Sequence, residues 1–400
     1  MKQTAIYTLT SELHDEQALS SISREILDNL NVGFELKGDN YADYGSHALD
    51  IIYVRTGGTE GIFKQLLPHL QEKSEQPFYL LTSGKSNSLA AAMEILSFLR
   101  QHNIKGEIIH GSSEYISRRV EMLAKVSEAK DWLKKCRVAV IGKPSDWLIA
   151  SQVDYELVNR KLGLDIINLP MEELMDTINN TPRDYNARPD DAFPDANRIY
   201  MALKSLVEQY QLEGYTLRCF DLLNTVHNTG CWAMAKLNSE GYAAGCEGDI
   251  PALLTMMISR SLLGVSGFLA NPATINPETG ELLFAHCTIP LNMVERYELD
   301  THYESGIGIG IRGFMKEGPV TIFKVSGNLE RYFVAEGTLM MNLALPNLCR
   351  TQQVIQLKHR SQASYFLNDP IGNHHIVLPG HQRALLEEMM KNYNSELTQH

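Results

Sequence analysis

Apolar runs typical of strands alternate with helical patterns through the first two-thirds of the chain, and this alternation limits the possible folds most strongly. Asp50–Arg55 is rich in strand-forming residues, and after a glycine-containing turn Gly61–Leu70 has a helical pattern. Phe78–Thr82 and the helical pattern Leu89–Arg100 repeat the arrangement. Strands that alternate with helices predict a mostly parallel, doubly wound sheet.

The same arrangement begins again further along the chain, and a different one follows it. Arg137–Ile141 and Leu164–Leu169 read as buried strands of a second parallel sheet. From about Val265 the chain consists of short apolar or alternating segments separated by Gly, Pro and Asn. Gly306–Ile311 and Tyr332–Ala335 are examples. Such segments predict an antiparallel barrel or sandwich.

The chain is long enough for two or three domains. Its 400 residues and 45.0 kDa exceed a single hydrophobic core, since domains usually have roughly 100–200 residues. We predict the fold class α/β, with two doubly wound parallel-sheet domains followed by a β-rich, barrel-like C-terminal domain. The predicted bounds are 1–130, 131–264 and 265–400.

Charge and hydropathy exclude two classes of partner. The formal net charge is -12 and the chain has no basic tract, which argues against nucleic acid because phosphate binding depends on clustered Lys and Arg. The segment Met1–Tyr7 lacks the apolar region of a signal peptide, and no stretch approaches the roughly 18–20 apolar residues of a membrane span. We therefore expect a cytoplasmic protein without a membrane partner.

Two turns in the first predicted domain have the composition of ligand-binding turns. Thr56–Glu60 and Ser83–Ser88 place glycine and small hydroxyl residues between a strand and a helix. Free backbone N–H groups at such a position can hold an anion or a sugar hydroxyl. Ser83–Ser88 lacks the spacing of a Walker A loop. The alternative is that both segments are tight turns and helix caps.

The candidate site consists of a carboxylate and two imidazoles. Glu247 precedes an apolar helix, and His286 and His374 follow it along the chain. If the fold brings them together, they make a divalent-metal site suited to moving protons beside a carbonyl. The alternatives are that Glu247 is an ordinary acid favoured by the helix N-terminus, and that His286 and His374 are buried structural residues. His374 and His375 alternate faces in a strand, so at most one of them points into the site.

The six cysteines are scattered without a C-x-x-C pair. This spacing indicates neither a zinc knuckle nor a disulfide framework. Cys246 and Cys287 adjoin the candidate site, and we interpret them as packing residues.

Several short runs resemble, in their order along the chain, the L-fucose isomerase and L-arabinose isomerase superfamily, and in particular its shorter fucose isomerase-like members. The resemblance implies two α/β domains followed by a β-barrel domain, with the active site between the last two. It also implies a homo-oligomer, a trimer or hexamer, in which a neighbouring subunit often completes the site. The runs are Gly245–Pro251, Phe268–Pro272, Phe284–Cys287, Cys349–Gln352 and Asn368–His375.

The resemblance assigns roles to individual residues. Glu247 matches a glutamate that is both a metal ligand and a proton carrier. Asp249 is expected to support the turn, orient a neighbour or cap the helix, and is a catalytic candidate if another base must replace the acid missing at Asn271. His374 resembles a metal-binding histidine, with His375 as the fallback, and His286 aligns with a histidine near the metal. Asn271 stands where characterised relatives have a carboxylate. Its carbonyl oxygen can bind a metal, but it cannot act as a general base near neutral pH.

The resemblance therefore implies a metal-dependent aldose–ketose isomerase. The expected cofactor is Mn²⁺ or another divalent cation, or no bound ion, and the expected partner is a small sugar. The alternative is a catalytically reduced sugar-binding or structural relative of the same fold, which Asn271 favours. Arg350 and Trp147 are candidates for gripping or stacking on a substrate, with purely structural roles as the alternative.

Overall fold

The computed structural model describes residues 4–11, 16–74, 76–183, 192–393 and 396–398. The chain divides into two compact units, Met1–Asp131 and Trp132–His400. The first predicted domain boundary, at residue 130, lies next to this division, and the predicted boundary at residue 264 lies inside the second unit. No helix in the described part of the chain is both long and apolar enough to cross a membrane.

The first unit is a parallel sheet covered on both faces. Its strand order is β2-β1-β3-β4-β5, and its elements are β1 (Thr4–Leu9), α1 (Glu16–Leu27), β2 (Phe34–Gly38), β3 (Leu49–Val54), α2 (Glu60–Lys73), β4 (Phe78–Thr82), α3 (Ser88–Gln101), β5 (Gly106–Ile109) and α4 (Ser113–Leu133). Successive side chains of a strand point to opposite faces. Accordingly Ile52 and Val54 of β3 enter one apolar core, and Ile51 and Tyr53 enter another. This is the predicted doubly wound arrangement.

The second unit begins with another parallel sheet, of order β7-β6-β8-β9. Its elements are β6 (Arg137–Ile141), α5 (Tyr155–Leu162), β7 (Asp165–Leu169), α6 (Met171–Asn180), α7 (Phe193–Gln209), β8 (Gly214–Leu217), α8 (Asp221–Thr225), α9 (Cys231–Ser239), β9 (Ala243–Cys246) and α10 (Ile250–Leu263). Ile141 pairs with Leu217, and Leu217 pairs with Cys246. The strands β6, β8 and β9 therefore end together at one edge of the sheet.

A closed antiparallel barrel of six strands follows in the same unit, which confirms the predicted β-rich C-terminal region. Its order is β14-β17-β10-β11-β16-β15, closed by pairing of β15 with β14. The remaining elements of the chain are β10 (Phe268–Asn276), β11 (Glu281–His286), β12 (Arg296–Asp300), β13 (Gly310–Phe314), β14 (Gly318–Val325), β15 (Arg331–Leu343), β16 (Thr351–Leu357), α11 (Ala363–Asn368), β17 (His375–Pro379), α12 (Arg383–Lys391) and β18 (Glu396–Leu397).

Helix α10 joins the sheet and the barrel. It packs against β8 and β9 on one side and against β14 and β17 on the other, and Ile250 to Ser259 are buried without interruption. A helix that is apolar all round is stable only inside a core. The residues at its N-terminus are thereby placed where the sheet edge meets the barrel.

The strand predicted at Gly306–Ile311 is displaced in the structure, where β13 covers Gly310–Phe314. Gly306 and Gly308 have positive φ angles of 69° and 66°, which belong to turns and not to extended strands. The turn extends the loop between β12 and β13, and this loop reaches the pocket described next.

Candidate metal centre

Turns that follow three different strands of the second sheet meet at its carboxyl edge. The N–H of Ser145, after β6, donates to the carbonyl of Glu247, after β9, at 2.9 Å. The N–H of Gly248 donates to the carbonyl of Leu217 at the end of β8, at 3.0 Å. Because these bonds join backbone to backbone, the turn that carries Glu247 is fixed by its neighbours.

The backbone at Glu247 has an unusual conformation. Glu247 has a φ of 62°, in the left-handed region, and Gly248 follows with a φ of 73°. A side chain at Gly248 would place its Cβ 2.6 Å from the carbonyl oxygen of Lys143, so only glycine fits there. The left-handed conformation costs a residue such as glutamate about 1–2 kcal/mol. Strain of this kind is typical of functional sites.

Asp249 is fully buried and has three partners. One carboxylate oxygen accepts from the N–H of Ala252 at 2.8 Å and so caps α10. The other lies 2.9 Å from Nδ1 of His374 and 3.8 Å from Nζ of Lys324, a buried lysine of β14. Burial alone would raise the pKa of Asp249, but Lys324 and His374 more than offset it and hold this pKa below its usual range. Asp249 is therefore an ionised group that orients His374 and starts the helix.

His374 presents its other ring nitrogen to Glu247. An ionised carboxylate only accepts, so Nδ1 of His374 carries the proton that it shares with Asp249. Nε2 is buried, lies 3.6 Å from Oε1 of Glu247 and has no hydrogen-bond partner among the described residues. Burial lowers the pKa of His374, but hydrogen bonding to Asp249 and the charge of Glu247 raise it to about 9. A cation bound at Nε2 would take the place of that second proton.

The carboxylate of Glu247 is held from two sides. Its Oε2 accepts a hydrogen bond of 2.6 Å from Nε1 of Trp147, and its Oε1 faces His374. Burial acts to raise the pKa of Glu247, but His374, His286 and Trp147 together lower it to about 2. Glu247 is therefore ionised at neutral pH.

His286 and Asn271 reach the same pocket from adjacent barrel strands. Asn271 of β10 pairs with Ala285, the residue before His286 on β11. Burial, together with the charge of His374, lowers the pKa of His286 to about 3, so its ring is neutral. The ring lies 5.5 Å from that of His374, and Nδ1 lies 3.0 Å from Oγ1 of Thr288. Oδ1 of Asn271 is buried without a hydrogen-bond partner among the described residues.

Glu247, Asn271 and His286 line a pocket with about 460 Å³ of empty space, part of which is open to solvent. The turn after β8 contributes Phe220, which contacts the ring of Trp147 edge-on with centroids 5.0 Å apart. The loop between β12 and β13 contributes His302 and Glu304.

The atoms that could act as metal ligands at this site suit a divalent cation. Nε2 of His374 and Oδ1 of Asn271 are buried polar atoms without hydrogen bonds, which proteins rarely leave unsatisfied. Beside them lies the ionised carboxylate of Glu247. A carboxylate, an imidazole nitrogen and an amide oxygen are ligands that Mn²⁺ and related ions accept. Asp249 orients the histidine in the manner seen around many metal-binding histidines.

Three of the candidate residues are held by partners within the protein. The carboxylate of Asp249 is enclosed by its partners and does not line the pocket. The guanidinium of Arg350 donates to the carbonyl and the hydroxyl of Thr301 at 2.7 and 3.0 Å, so it braces the loop that carries His302. Trp147 is 52% exposed, but its N–H is committed to Glu247.

His375 has its own partners inside the barrel. Its ring nitrogens lie 3.0 Å from the hydroxyl of Tyr365 and 2.9 Å from the carbonyl of Asn373. Of the two neighbouring histidines it is therefore His374 that faces Glu247.

Several residues around the pocket were not predicted from the sequence. His302 and Glu304 lie in an irregular loop whose course no periodicity predicts. Lys324 stands within the apolar run Val320–Val325, and a lysine inside a buried strand indicates a buried counter-charge. The cysteines adjoin the site in greater number than expected, since five of the six line the pocket: Cys219, Cys231, Cys246, Cys287 and Cys349.

Comparison with known proteins connects the chain to sugar isomerases. Sulfoquinovose isomerase from Clostridium sp. (strain MSTE9) is 27% identical over 153 residues, which make up 38% of this chain and 31% of that protein. No family model matches the chain. The aligned stretch thus spans about a third of the relative, and over this stretch the chain is similar to a sugar isomerase.

Proposed function

We propose that this protein is a metal-dependent aldose–ketose isomerase that acts on a free sugar. One observation carries the proposal. Glu247 and Asn271 line one pocket, and Nε2 of His374 lies 3.6 Å from Oε1 of Glu247. A strained backbone holds the ionised carboxylate of Glu247, and Nε2 of His374 and Oδ1 of Asn271 are buried without hydrogen bonds among the described residues. The similarity to a sugar isomerase supports the same class of reaction.

Oε1 of Glu247, Nε2 of His374 and Oδ1 of Asn271 would hold the cation, with His286 beside them. When bound, a divalent ion such as Mn²⁺ polarises the sugar carbonyl and stabilises the negative charge that develops on the sugar oxygens. Asn271 contributes a neutral oxygen, so the ligands carry one negative charge fewer than they would with a carboxylate at that position.

Glu247 is the residue placed to move a proton between C1 and C2 of an open-chain sugar. It takes the proton from C2 of the aldose and returns it to C1, while the hydroxyl proton passes from O2 to O1. Trp147 and His374 fix the direction of its carboxylate. A base placed in this way contributes roughly 10²–10⁴-fold to a rate.

Glu304 is a second carboxyl group in the pocket. Burial, and secondly the charge of Glu247, raise the pKa of Glu304 above its usual range. The two carboxyl groups therefore differ in their tendency to hold a proton, which is how acid and base roles are divided in many enzymes. Glu304 is suited to assist the transfer of the hydroxyl proton from O2 to O1 of the sugar.

The substrate class follows from the pocket and the relative. The polar groups that line the pocket, among them Glu247, Asn271 and His302, suit the hydroxyl and carbonyl oxygens of a sugar. We include deoxysugars, pentoses and modified hexoses in this class, with sulfoquinovose among the last because the similar protein carries its name. The homo-oligomer and the cytoplasmic location expected from the sequence stay predictions.

The direct test combines metal analysis with a panel of sugars. The purified protein is analysed for bound metals, stripped with a chelator, reloaded with Mn²⁺ and incubated with each aldose in D₂O. We expect a ketose to form from at least one sugar, with deuterium at C1 and only in the metal-loaded protein. Failure of every sugar to react or exchange, in a protein that holds Mn²⁺, would rule the isomerase out.

A second candidate function, a sugar-binding relative without turnover, is favoured by Asn271 alone. Replacing Asn271 by Asp restores a charged ligand at similar volume, and we expect Mn²⁺ to bind about tenfold or more tightly. Calorimetric titration of both proteins with Mn²⁺ measures this. A wild-type protein that binds sugars without converting them, together with an Asn271→Asp variant that does convert them, would establish the second function in place of the first.

A further inference from the structure

Thiols are concentrated around the pocket in a way that sugar isomerisation does not require. Cys246 is the last residue of β9 and is directly followed by Glu247. Sγ of Cys219 lies 3.1 Å from Sγ of Cys246, and both cysteines are buried and free. The remaining cysteine, Cys136, lies elsewhere in the fold, where its thiol contacts the carbonyl of Trp132 at 3.1 Å.

The left-handed turn at Glu247 brings two neighbouring side chains to the same cavity. Consecutive residues of an extended strand point to opposite faces, but Glu247, with a φ of 62°, leaves the strand just after Cys246. One ligand atom each from Cys246, Glu247 and His286 therefore lie within 4.8 Å of one another. Ligand atoms around one zinc ion are about 3.3–3.8 Å apart, given bond lengths near 2.0–2.3 Å. Small side-chain rotations close the difference.

The geometry points to a binding site for a thiophilic divalent cation, Zn²⁺ above all, formed by Cys246, Glu247 and His286. Sulfur, nitrogen and carboxylate oxygen are the ligands of protein zinc sites, and a thiolate ligand favours Zn²⁺ over Mn²⁺. Nε2 of His374 is fully buried, lies 3.6 Å from Glu247 and makes no hydrogen bond among the described residues, which is an independent sign that a cation belongs at this carboxylate.

Binding follows a simple proton balance. The thiol of Cys246 loses its proton to the solvent as the sulfur–metal bond forms, and no electron changes hands. The thiol of Cys219 can then donate a hydrogen bond to the thiolate, which supports the ligand from behind. Because this site shares Glu247 with the ligands of the proposed isomerase, Zn²⁺ and Mn²⁺ compete for the same carboxylate.

The thiophilic site goes beyond the proposed function, since it needs the Glu247 carboxylate but no reaction of a sugar. Two consequences distinguish it. Zn²⁺ should bind more tightly than Mn²⁺, and a thiolate should be among its ligands.

The test uses Co²⁺ as a spectroscopic substitute for Zn²⁺ in the metal-free, full-length protein. We expect a thiolate-to-cobalt charge-transfer band in the near ultraviolet that saturates at one ion per chain and disappears when Zn²⁺ is added. Cys246→Ser should lose the band and bind Zn²⁺ at least about tenfold more weakly. Cys231→Ser, in the same pocket, and Cys136→Ser, outside it, are the matched controls and should keep the band. A band that persists in Cys246→Ser, or is absent from the wild type, would overturn the site.

X-ray absorption at the zinc edge of the wild-type protein decides the matter if the Cys246 variant does not fold. One sulfur among the ligands is expected, and a shell of nitrogen and oxygen alone would refute the site. The two proposals fail separately. A protein that turns over sugar with Mn²⁺ but shows no sulfur ligand refutes only the thiophilic site, whereas a sulfur ligand in a protein that converts no sugar refutes only the isomerase.

Discussion

The two parallel sheets end in turns of the same construction but of different chemistry. In the first sheet the N–H of Gly57 donates to the carbonyl of Ser86 at 2.7 Å, and in the second the N–H of Ser145 donates to the carbonyl of Glu247 at 2.9 Å. Residues with a positive φ stand at both edges: Ser86 at 52° and Asn87 at 57° in the first sheet, and Glu247 at 62° in the second. Asparagine visits this region readily, whereas glutamate does so at a cost.

The residues that precede the helices differ in the same way. Oγ1 of Thr59, before α2, donates to the carbonyl of Thr56 at 3.0 Å and makes no cap bond to the helix. Asp249, before α10, caps its helix and also holds His374. A shared backbone architecture thus indicates only a fold. Function is indicated where the same architecture carries a residue that is costly to place.

Glu247→Gln has the largest expected effect and tests this contrast directly. The substitution keeps the shape but removes the proton-accepting charge, so kcat/KM of the Mn²⁺-loaded protein should fall roughly 10²–10⁴-fold. Glu60→Gln alters the acid in the first turn of α2 and is the matched control, with unchanged turnover. Equal losses in the two variants would show that the contrast between the turns is wrong.

Asp249→Ala should destabilise the fold far more than Thr59→Ala. The first leaves Lys324 buried without its counter-charge and removes a helix cap, at about 3–5 kcal/mol. The second removes one neutral hydrogen bond, at about 1 kcal/mol.

Urea unfolding of the metal-free variants separates these two effects. All three tryptophans lie in the second unit, so their fluorescence reports on Asp249→Ala, and circular dichroism reports on both units. Similar losses for the two substitutions would mean that the Asp249 cluster adds nothing to an ordinary turn.

The contributions of two buried carboxylates, one in each unit, to the free energy of unfolding should change with pH in opposite directions. Asp50 of β3 is 2% exposed, and burial raises its pKa although the N–H of Gly45 and the ring of His47 lie 2.9 and 3.2 Å away. A raised carboxyl pKa means that stability falls as pH rises through the unfolded and then the folded pKa. For Asp249, whose pKa is lowered, stability is present above the unfolded pKa and falls as pH decreases.

Asp50→Asn should therefore raise the free energy of unfolding at neutral pH, by roughly 0.5–2 kcal/mol, as stabilising substitutions commonly do. The gain should shrink as the pH falls and the wild-type carboxyl group takes up its proton. Unfolding followed by circular dichroism between pH 4 and pH 8, roughly the window in which carboxyl groups finish titrating, measures the slope. A loss of stability at neutral pH would show that the partners of Asp50 outweigh its burial.

Asn87→Ala has the smallest expected effect. Alanine tolerates the left-handed conformation less well than asparagine, so the first unit should lose about 1 kcal/mol, whereas Asn87→Gly should be neutral or slightly stabilising. In urea unfolding, circular dichroism should show the loss of stability, whereas the transition of the second unit, followed by tryptophan fluorescence, should not shift. An Asn87→Ala variant that instead lost turnover would give the first turn a role in the reaction.

The sequence predicted those parts of the fold that local patterns determine. The strands at Phe78–Thr82 and Arg137–Ile141 agree with the structure residue for residue, because both are short, mostly apolar and bounded by turns. The predicted strand Tyr332–Ala335 is only part of β15, which continues to Leu343. Beyond Ala335 buried and exposed residues alternate, and Met340 and Met341 are both half exposed. A prediction that looks for a continuous apolar run therefore ends the strand too early.

The site was predictable only where a residue stands in a recognisable run. Glu247, Asn271, His286 and His374 were found through such runs, whereas the thiol cluster was not. Cys219 and Cys246 are separated by 27 positions, and they meet because β8 and β9 end at the same level. Sequence spacing does not show which strand ends are neighbours, so the convergence of the thiols depends on the sheet order.

Lys324 has a consequence for cutting the chain into pieces. Its ammonium group is buried in the barrel wall, and its counter-ion, Asp249, belongs to the turn before α10. A fragment covering 265–400 would have the sequence of a complete barrel but would have to neutralise or expose this lysine in order to close. The barrel is therefore not an independent module, and grafting it onto another protein would require α10 and its preceding turn to be transferred with it.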